Sequence, residues 1–306
     1  MRRSSQFLFT LLLFVALSCV TSVTHGEEGK SDPGAISLLK RVEDVRLQSK
    51  PFRLRGTFRR QYAVEPKTEE PIDVAYADGK YRVRSHGKRP SAVTFDGAQI
   101  LCFDGLQLTV HTTLDLLNLE DKLAFDPRIL GLTPTTGPDG NFAGALPLDQ
   151  DFITTSKGKE SIHGTQVENI SMRGNYGLEL QFWIDPLNVN HVHKHVLVRH
   201  NPEPLHGFSL KSITESEFWP GAENEWIPRK IKITAFRNDD DKNAFYEGIL
   251  EFRKPLKSPH FSPYAWTARG MGLRVGPPIF DGRDKTQHSH WEGEELVPAL
   301  KFRAMR

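Results

Sequence analysis

The hydrophobic period of the chain changes several times. Ile36, Leu39, Val42 and Val45 recur every third residue, with Leu38 and Leu47 widening the stripe. That spacing predicts one amphipathic helix over 34–48. Ser31-Asp32-Pro33 supplies an N-cap and a first-turn proline, and Pro51 ends the helix. From residue 52 the period drops to two. Phe52, Leu54, Gly56, Phe58 and Tyr62 share one face, and Arg53, Arg55, Thr57, Arg59 and Gln61 share the other. Such alternation predicts a half-buried antiparallel strand with one wet face. Further strands are expected at 71–76, 80–86, 92–96, 98–103 and 105–111. Asp78-Gly79, Asp96-Gly97 and Asp104-Gly105 mark turns between them, which implies a meander of neighbouring strands.

Residues 112–150 break the alternation. Leu114, Leu116, Leu117, Leu119 and Leu123 suit a short helix near 113–123, and Phe125, Ile129, Leu130 and Leu132 a further helical turn. This apolar insert must lie on the sheet to bury its leucines. The strand pattern resumes at 160–172, 177–184, 191–199, 208–218, 226–236 and 244–253, with Asp185-Pro186 and Asn201-Pro202 as stops. Beyond 254, prolines at 255, 259, 263, 277 and 278 exclude long regular elements, and Trp266, Phe280 and Trp291 are the residues expected to tack this tail onto the body. The pattern is α+β and mainly β: one large antiparallel sheet with helices on one face.

The N-terminus reads as a secretory signal over 1–26. Arg2 and Arg3 precede an apolar run from Phe7 to Leu17, too short to span a bilayer, and Thr24 and Gly26 fit a cut before Glu27. The run Ala16-Leu17-Ser18-Cys19 resembles a lipoprotein box, but Ala16 stands where Leu is usual, so a lipid anchor at Cys19 is the lesser reading. No other stretch approaches transmembrane length. The mature chain is expected to be extracytoplasmic, in the periplasm or cell envelope, with 27–254 as its β domain and 255–306 as an irregular extension packed on it. Cleavage leaves Cys102 alone, which excludes an internal disulfide.

The full chain carries 40 basic and 38 acidic residues, and the excess of two is Arg2 and Arg3 of the signal. A neutral mature chain argues against nucleic acid as a partner. The arginines at 53, 55, 59, 60, 82, 84 and 89 and Lys88 could attract anionic head groups, or form a solvated outer face balanced by Glu65, Asp73 and Asp78. No hydrolase elbow, zincin motif or phosphate loop is present, and no cofactor is implied. The one metal-like cluster is His191, His193 and His195. Its residues share a face on a regular strand, and His200, Glu203 or His206 could complete a set. On such a strand the first and last lie about 13 Å apart, at about 3.3 Å per residue, so one ion cannot take all three without a bulge. His288 and His290 repeat the spacing in the tail.

The order of elements and several short motifs resemble a known family. The first strand holds Leu54-Arg55-Gly56-Thr57-Phe58. Asp78-Gly79-Lys80-Tyr81-Arg82-Val83 and Val93-Thr94-Phe95-Asp96-Gly97 follow. Leu180-Gln181-Phe182-Trp183-Ile184-Asp185-Pro186 and Glu225-Trp226-Ile227-Pro228 come after the insert. Over 33–253 this is similar to the exported LolA/LolB-like superfamily of outer-membrane lipoprotein-sorting carriers and their bacterial relatives. The resemblance implies a curved half-barrel with the N-terminal helix and the insert on its concave face. It also implies a non-enzymatic protein whose interior takes a lipid or a lipoprotein acyl chain. Phe52, Leu54, Phe58, Tyr81, Leu117 and Phe182 are the inward residues expected to line that interior, or to fill it as plain core. Two other readings stay open. One is an interaction module with an envelope protein partner. The other is a metal-dependent enzyme using His191, His193 and His195.

Overall fold

The computed structural model describes residues 31–87, 90–103, 108–111, 127–132, 152–174, 177–188, 191–200, 210–220, 225–237, 242–257, 259–271, 278–281, 288–291 and 296–298. The signal segment, Cys19 and the leucines expected to form a helix near 113–123 lie outside these residues.

Helix α1 runs Pro33–Leu47. The Asp32 carboxylate accepts the amides of Gly34 at 2.8 Å and Ala35 at 3.3 Å, satisfying donors that the first turn leaves unpaired. Six strands follow: β1 (Phe52–Tyr62), β2 (Thr68–Ala77), β3 (Lys80–Ser85), β4 (Ala92–Phe95), β5 (Ile100–Phe103) and β6 (Leu108–His111). Each pairs antiparallel with the next. A second meander comprises β7 (Ile153–Ile162), β8 (Thr165–Arg173), β9 (Leu178–Ile184), β10 (Val192–Arg199), β11 (Leu210–Glu217), β12 (Lys230–Arg237) and β13 (Tyr246–Phe252). It also pairs in sequence order. Its last strand returns to the first strand of the other meander, from Gly56↔Phe252 to Tyr62↔Tyr246. The short β14 (Leu256–Lys257) continues along β1 at Phe52 and Arg53. The sheet is not closed into a barrel, and its curved half-barrel carries α1 on the concave face.

Two differences from the sequence pattern have physical causes. The strand expected at 160–172 is a hairpin, β7 and β8, turning at His163-Gly164 with φ of 49° and 84°. A histidine in left-handed backbone is uncommon, so the turn carries no strong residue signal. The strand expected to begin at 226 begins at Lys230, because Trp226 and Ile227 leave the ladder to pack on the concave face. In the tail, β15 (Pro278–Asp281), β16 (His288–Trp291) and β17 (Leu296–Pro298) extend the edge beyond β6. The β6–β15 pair is parallel, an exception in an otherwise antiparallel sheet.

The concave face buries two clusters. Under α1, Ala35, Leu38, Leu39 and Val42 meet Ile170, Met172, Leu180, Phe182, Ile184 and Val192. The other spans β1–β5, β12 and β13, with Leu130, Trp226 and Ile227 packed on it. On the opposite face Ala265 and Trp266 cover Ala75 and Ala77 of β2. Ala268 and Met271 cover Ala92, Leu101 and Leu108. No helix among the described residues is long and apolar enough to cross a membrane.

Candidate functional site

The described residues expected to face inward are buried in the structure. Phe52, Leu54, Phe58 and Tyr81 are all buried within one concave cluster. Phe182 is buried in the neighbouring cluster beneath α1. Leu117 lies outside the described residues. Phe52 stacks on Tyr76 at 5.5 Å and takes the edge of Trp226 at 5.7 Å, so three aromatic rings line the junction of β1 and β2.

Over this junction sits Arg46, which the sequence pattern does not single out. It lies four residues after Val42 and so continues the inward stripe of α1. Its side chain is fully buried, with the guanidinium 4.0 Å above the Trp226 ring. Nη1 donates to the carbonyls of Arg128 at 3.0 Å and Leu130 at 2.8 Å, in the 3-10 turn Pro127–Ile129 and just after it. The Trp226 indole in turn donates to Ser49 at 2.9 Å. Among the described residues no carboxylate pairs with Arg46, and burial pulls its pKa down to about 9. It therefore stays charged at neutral pH, held by carbonyl dipoles and a π face. Arg46 thus ties α1, the 127–130 segment and Trp226 together above the apolar sheet.

The arginines of the opposite face are engaged within the fold. Asp73 is buried and takes Arg53 at 2.5 Å and Arg82 at 3.4 Å, with Arg55 at 3.7 Å. Arg59 pairs with Glu251, while Arg60, on the same side of β1 as Phe58, lies 3.6 Å from Glu70. Arg82 also donates to the carbonyls of Ala265 and Gly270, both at 3.0 Å, anchoring the tail. Burial lowers the Arg82 pKa, and Asp73 partly restores it.

The histidine run does not stay on one face. Pairing of β9 with β10 shifts register between Val192 and Lys194, so a β-bulge falls at His193. Beyond it His195 turns inward, 4.6 Å from the Phe182 ring, where burial pushes its pKa down to about 3 and keeps it neutral. His195 is thereby removed from the group expected from strand alternation. His191 and His193 remain together, their rings 6.0 Å apart and perpendicular. Asp185, at the end of β9, joins them: one ligand atom from each residue lies within 4.8 Å of the others. The sequence pattern marks Asp185 only as a strand stop. The side chain of His200 does not join this group; Glu203, His206 and the side chains of His288 and His290 lie outside what the structure describes.

No family model matches the chain, and no curated protein matches it. Solved structures similar to it include a LolA superfamily protein from Nitrosomonas europaea. That likeness has 14% identity, covers 77% of this chain and 98% of that one, and has a TM-score of 0.46. A DUF1329 family protein from Desulfovibrio piger is 8% identical over 79% of this chain and 99% of its own, with a TM-score of 0.49. A domain described as an outer membrane lipoprotein-sorting protein, from Vibrio parahaemolyticus, is 7% identical over 78% and 99%, again at 0.49. At these identities the likeness concerns architecture alone.

Proposed function

We propose that this chain is an exported, non-enzymatic protein of the cell envelope. In this reading it takes up an apolar or amphipathic ligand, of the acyl-chain class, between α1 and the concave face of the sheet. One observation carries it: the way the apolar face of β1–β5, β12 and β13 is covered. No second sheet lies over it among the described residues. Among the described residues its cover is Val45, Leu130, Trp226 and Ile227, held by the Arg46 guanidinium on two carbonyls and by the Trp226 indole on Ser49. Parting such a cover breaks few hydrogen bonds, whereas parting a sheet breaks a whole ladder. The apolar face so exposed would gain about 0.8 kcal/mol for each methylene it removes from water. A chain of a dozen methylenes would then bind usefully after its ordering cost. The engaged arginines of the outer face speak against a head-group surface there, which leaves the concave side as the place for a lipid.

Two measurements test this. Organic extraction and mass spectrometry of the purified mature protein should find a co-purifying lipid. A brominated fatty acid should quench tryptophan fluorescence saturably, and Trp226→Phe should remove most of the quenched component, since Trp226 packs on that face. No retained lipid together with no saturable quenching overturns the reading.

A further inference from the structure

We propose that Asp185, His191 and His193 form a binding site for a zinc-class divalent cation where β9 connects to β10. The site is separate from the concave face and stands independently of the carrier reading. Its donor set is two imidazoles and one carboxylate, the borderline nitrogen and oxygen mixture that zinc accepts, with room left for a water or a fourth ligand. A tetrahedral ion with bonds of about 2.0–2.1 Å holds its ligands about 3.3 Å apart. The three donor atoms here already lie within 4.8 Å of one another, so closure needs only small side-chain rotations.

Local chemistry orients each donor. The Asp185 Oδ1 accepts the amides of Leu187 at 2.9 Å and Asn188 at 3.1 Å, which fixes the carboxylate and leaves its second oxygen for a cation. The His191 Nε2 lies 3.0 Å from the Glu225 carbonyl. A ring nitrogen donating to a backbone carbonyl holds the tautomer whose other nitrogen offers a lone pair, the usual outer-shell arrangement of a metal-bound histidine. The Asn188 amide, 3.3 Å from Nδ1, is the group that the cation would displace. Phe218 stacks on His191 at 3.9 Å and sets its edge against His193 at 5.4 Å, holding both rings on the same side. The His193 Nε2 is shielded from solvent and meets no hydrogen-bond partner. A shielded polar atom without a partner is costly, and a cation among these donors is the group that would satisfy the cluster.

The bulge limits the set to two of the three histidines. On a regular strand His191, Val192 and His193 would alternate, and His195 would share the histidine face. Alternation alone sets His191 and His193 on one face, and the extra residue sends His195 into the core. The hairpin from β9 to β10 then brings Asp185 to them.

Isothermal titration of the chelator-treated full mature protein with Zn²⁺ should show one site of micromolar affinity or tighter. Co²⁺ should give the visible absorption of a four-coordinate nitrogen and oxygen site. Asp185→Asn keeps the turn that Asp185 makes but loses the charge, and His193→Gln keeps a polar side chain. Each should weaken Zn²⁺ by more than about 100-fold, beyond what outer-shell changes cause, while His260→Gln should leave it unchanged. Nitrogen-15 spectra of the wild-type histidines should show two rings shifting with stoichiometric Zn²⁺, a readout that needs no variant to fold. Absence of one-to-one binding overturns the proposal. So does binding that both variants retain, or two shifting rings that are not His191 and His193.

Discussion

At the scale of the residue, Arg46 is the most exacting position in the fold. A guanidinium buried without a carboxylate is stabilised only by what it touches, here two carbonyls and an indole face. Arg46→Ala removes all three contacts, opens a cavity and leaves one buried and one half-buried carbonyl short of a donor. Its expected cost is about 3 kcal/mol, since each orphaned acceptor costs about 1–3 kcal/mol and relief of the buried charge offsets part. Arg46→Met fills most of the volume and removes the charge, so it should cost less than half as much. Urea unfolding at neutral pH gives the ranking, and a methionine variant no more stable than the alanine variant would mean that packing above Trp226 contributes little. The residue's place on the inward stripe was readable from Val42 four positions earlier. Its burial was not, because the atoms that accept it come from residues 128, 130 and 226, far along the chain. Asp185 shows the same limit: it meets the histidines only through the pairing of β9 with β10, which no residue type announces. The aromatic and aliphatic positions 52, 54, 58, 81 and 182 needed only strand alternation, a local property.

At the scale of the element, the junction of the two meanders rests on β1 against β13. A Cβ added at Gly56 would lie 2.1 Å from the Glu251 carbonyl oxygen. That oxygen belongs to the backbone, so relief requires the two strands to part. Gly56→Ala should therefore destabilise the protein by about 3 kcal/mol or more, at the upper end of overpacking costs. Gly164→Ala supplies the contrast. Its Cβ would meet nothing within 4 Å, and only the backbone angle of 84° is strained, which costs about 1–2 kcal/mol. Equal losses in urea unfolding would show that the junction yields and that conformational strain alone matters. In the sequence Gly56 reads as one more position on the apolar face of β1. The close approach that demands glycine becomes visible only with the pairing, because strand order between remote segments is not encoded in alternation. The strands themselves were legible for the opposite reason: each has one buried face, and a one-residue slip would expose it.

At the scale of the molecule, the two faces of the sheet have different covers. The concave face carries α1 and the Arg46-tied segment. The outer face of β2–β6 carries the tail, held by Arg82 through the Ala265 and Gly270 carbonyls and by Trp266 over Ala75 and Ala77. The arrangement separates stability from uptake. Trp266 is buried against small side chains, so Trp266→Ala leaves a gap that alanines cannot close, at a cost of about 3 kcal/mol. For a chain of this size that corresponds to a fall in Tm of roughly 5–10 °C. The concave face lies across the sheet and loses no contact, so the variant should still be quenched by a brominated acyl chain below its own melting temperature. Melting and quenching measured on the same preparation check both halves. A variant that melts early and keeps its uptake supports a tail that clamps the sheet from outside. A variant that melts normally shows that Arg82 alone anchors the segment. One that stays folded but no longer takes up the acyl chain shows that the outer cover shapes the concave face through the sheet.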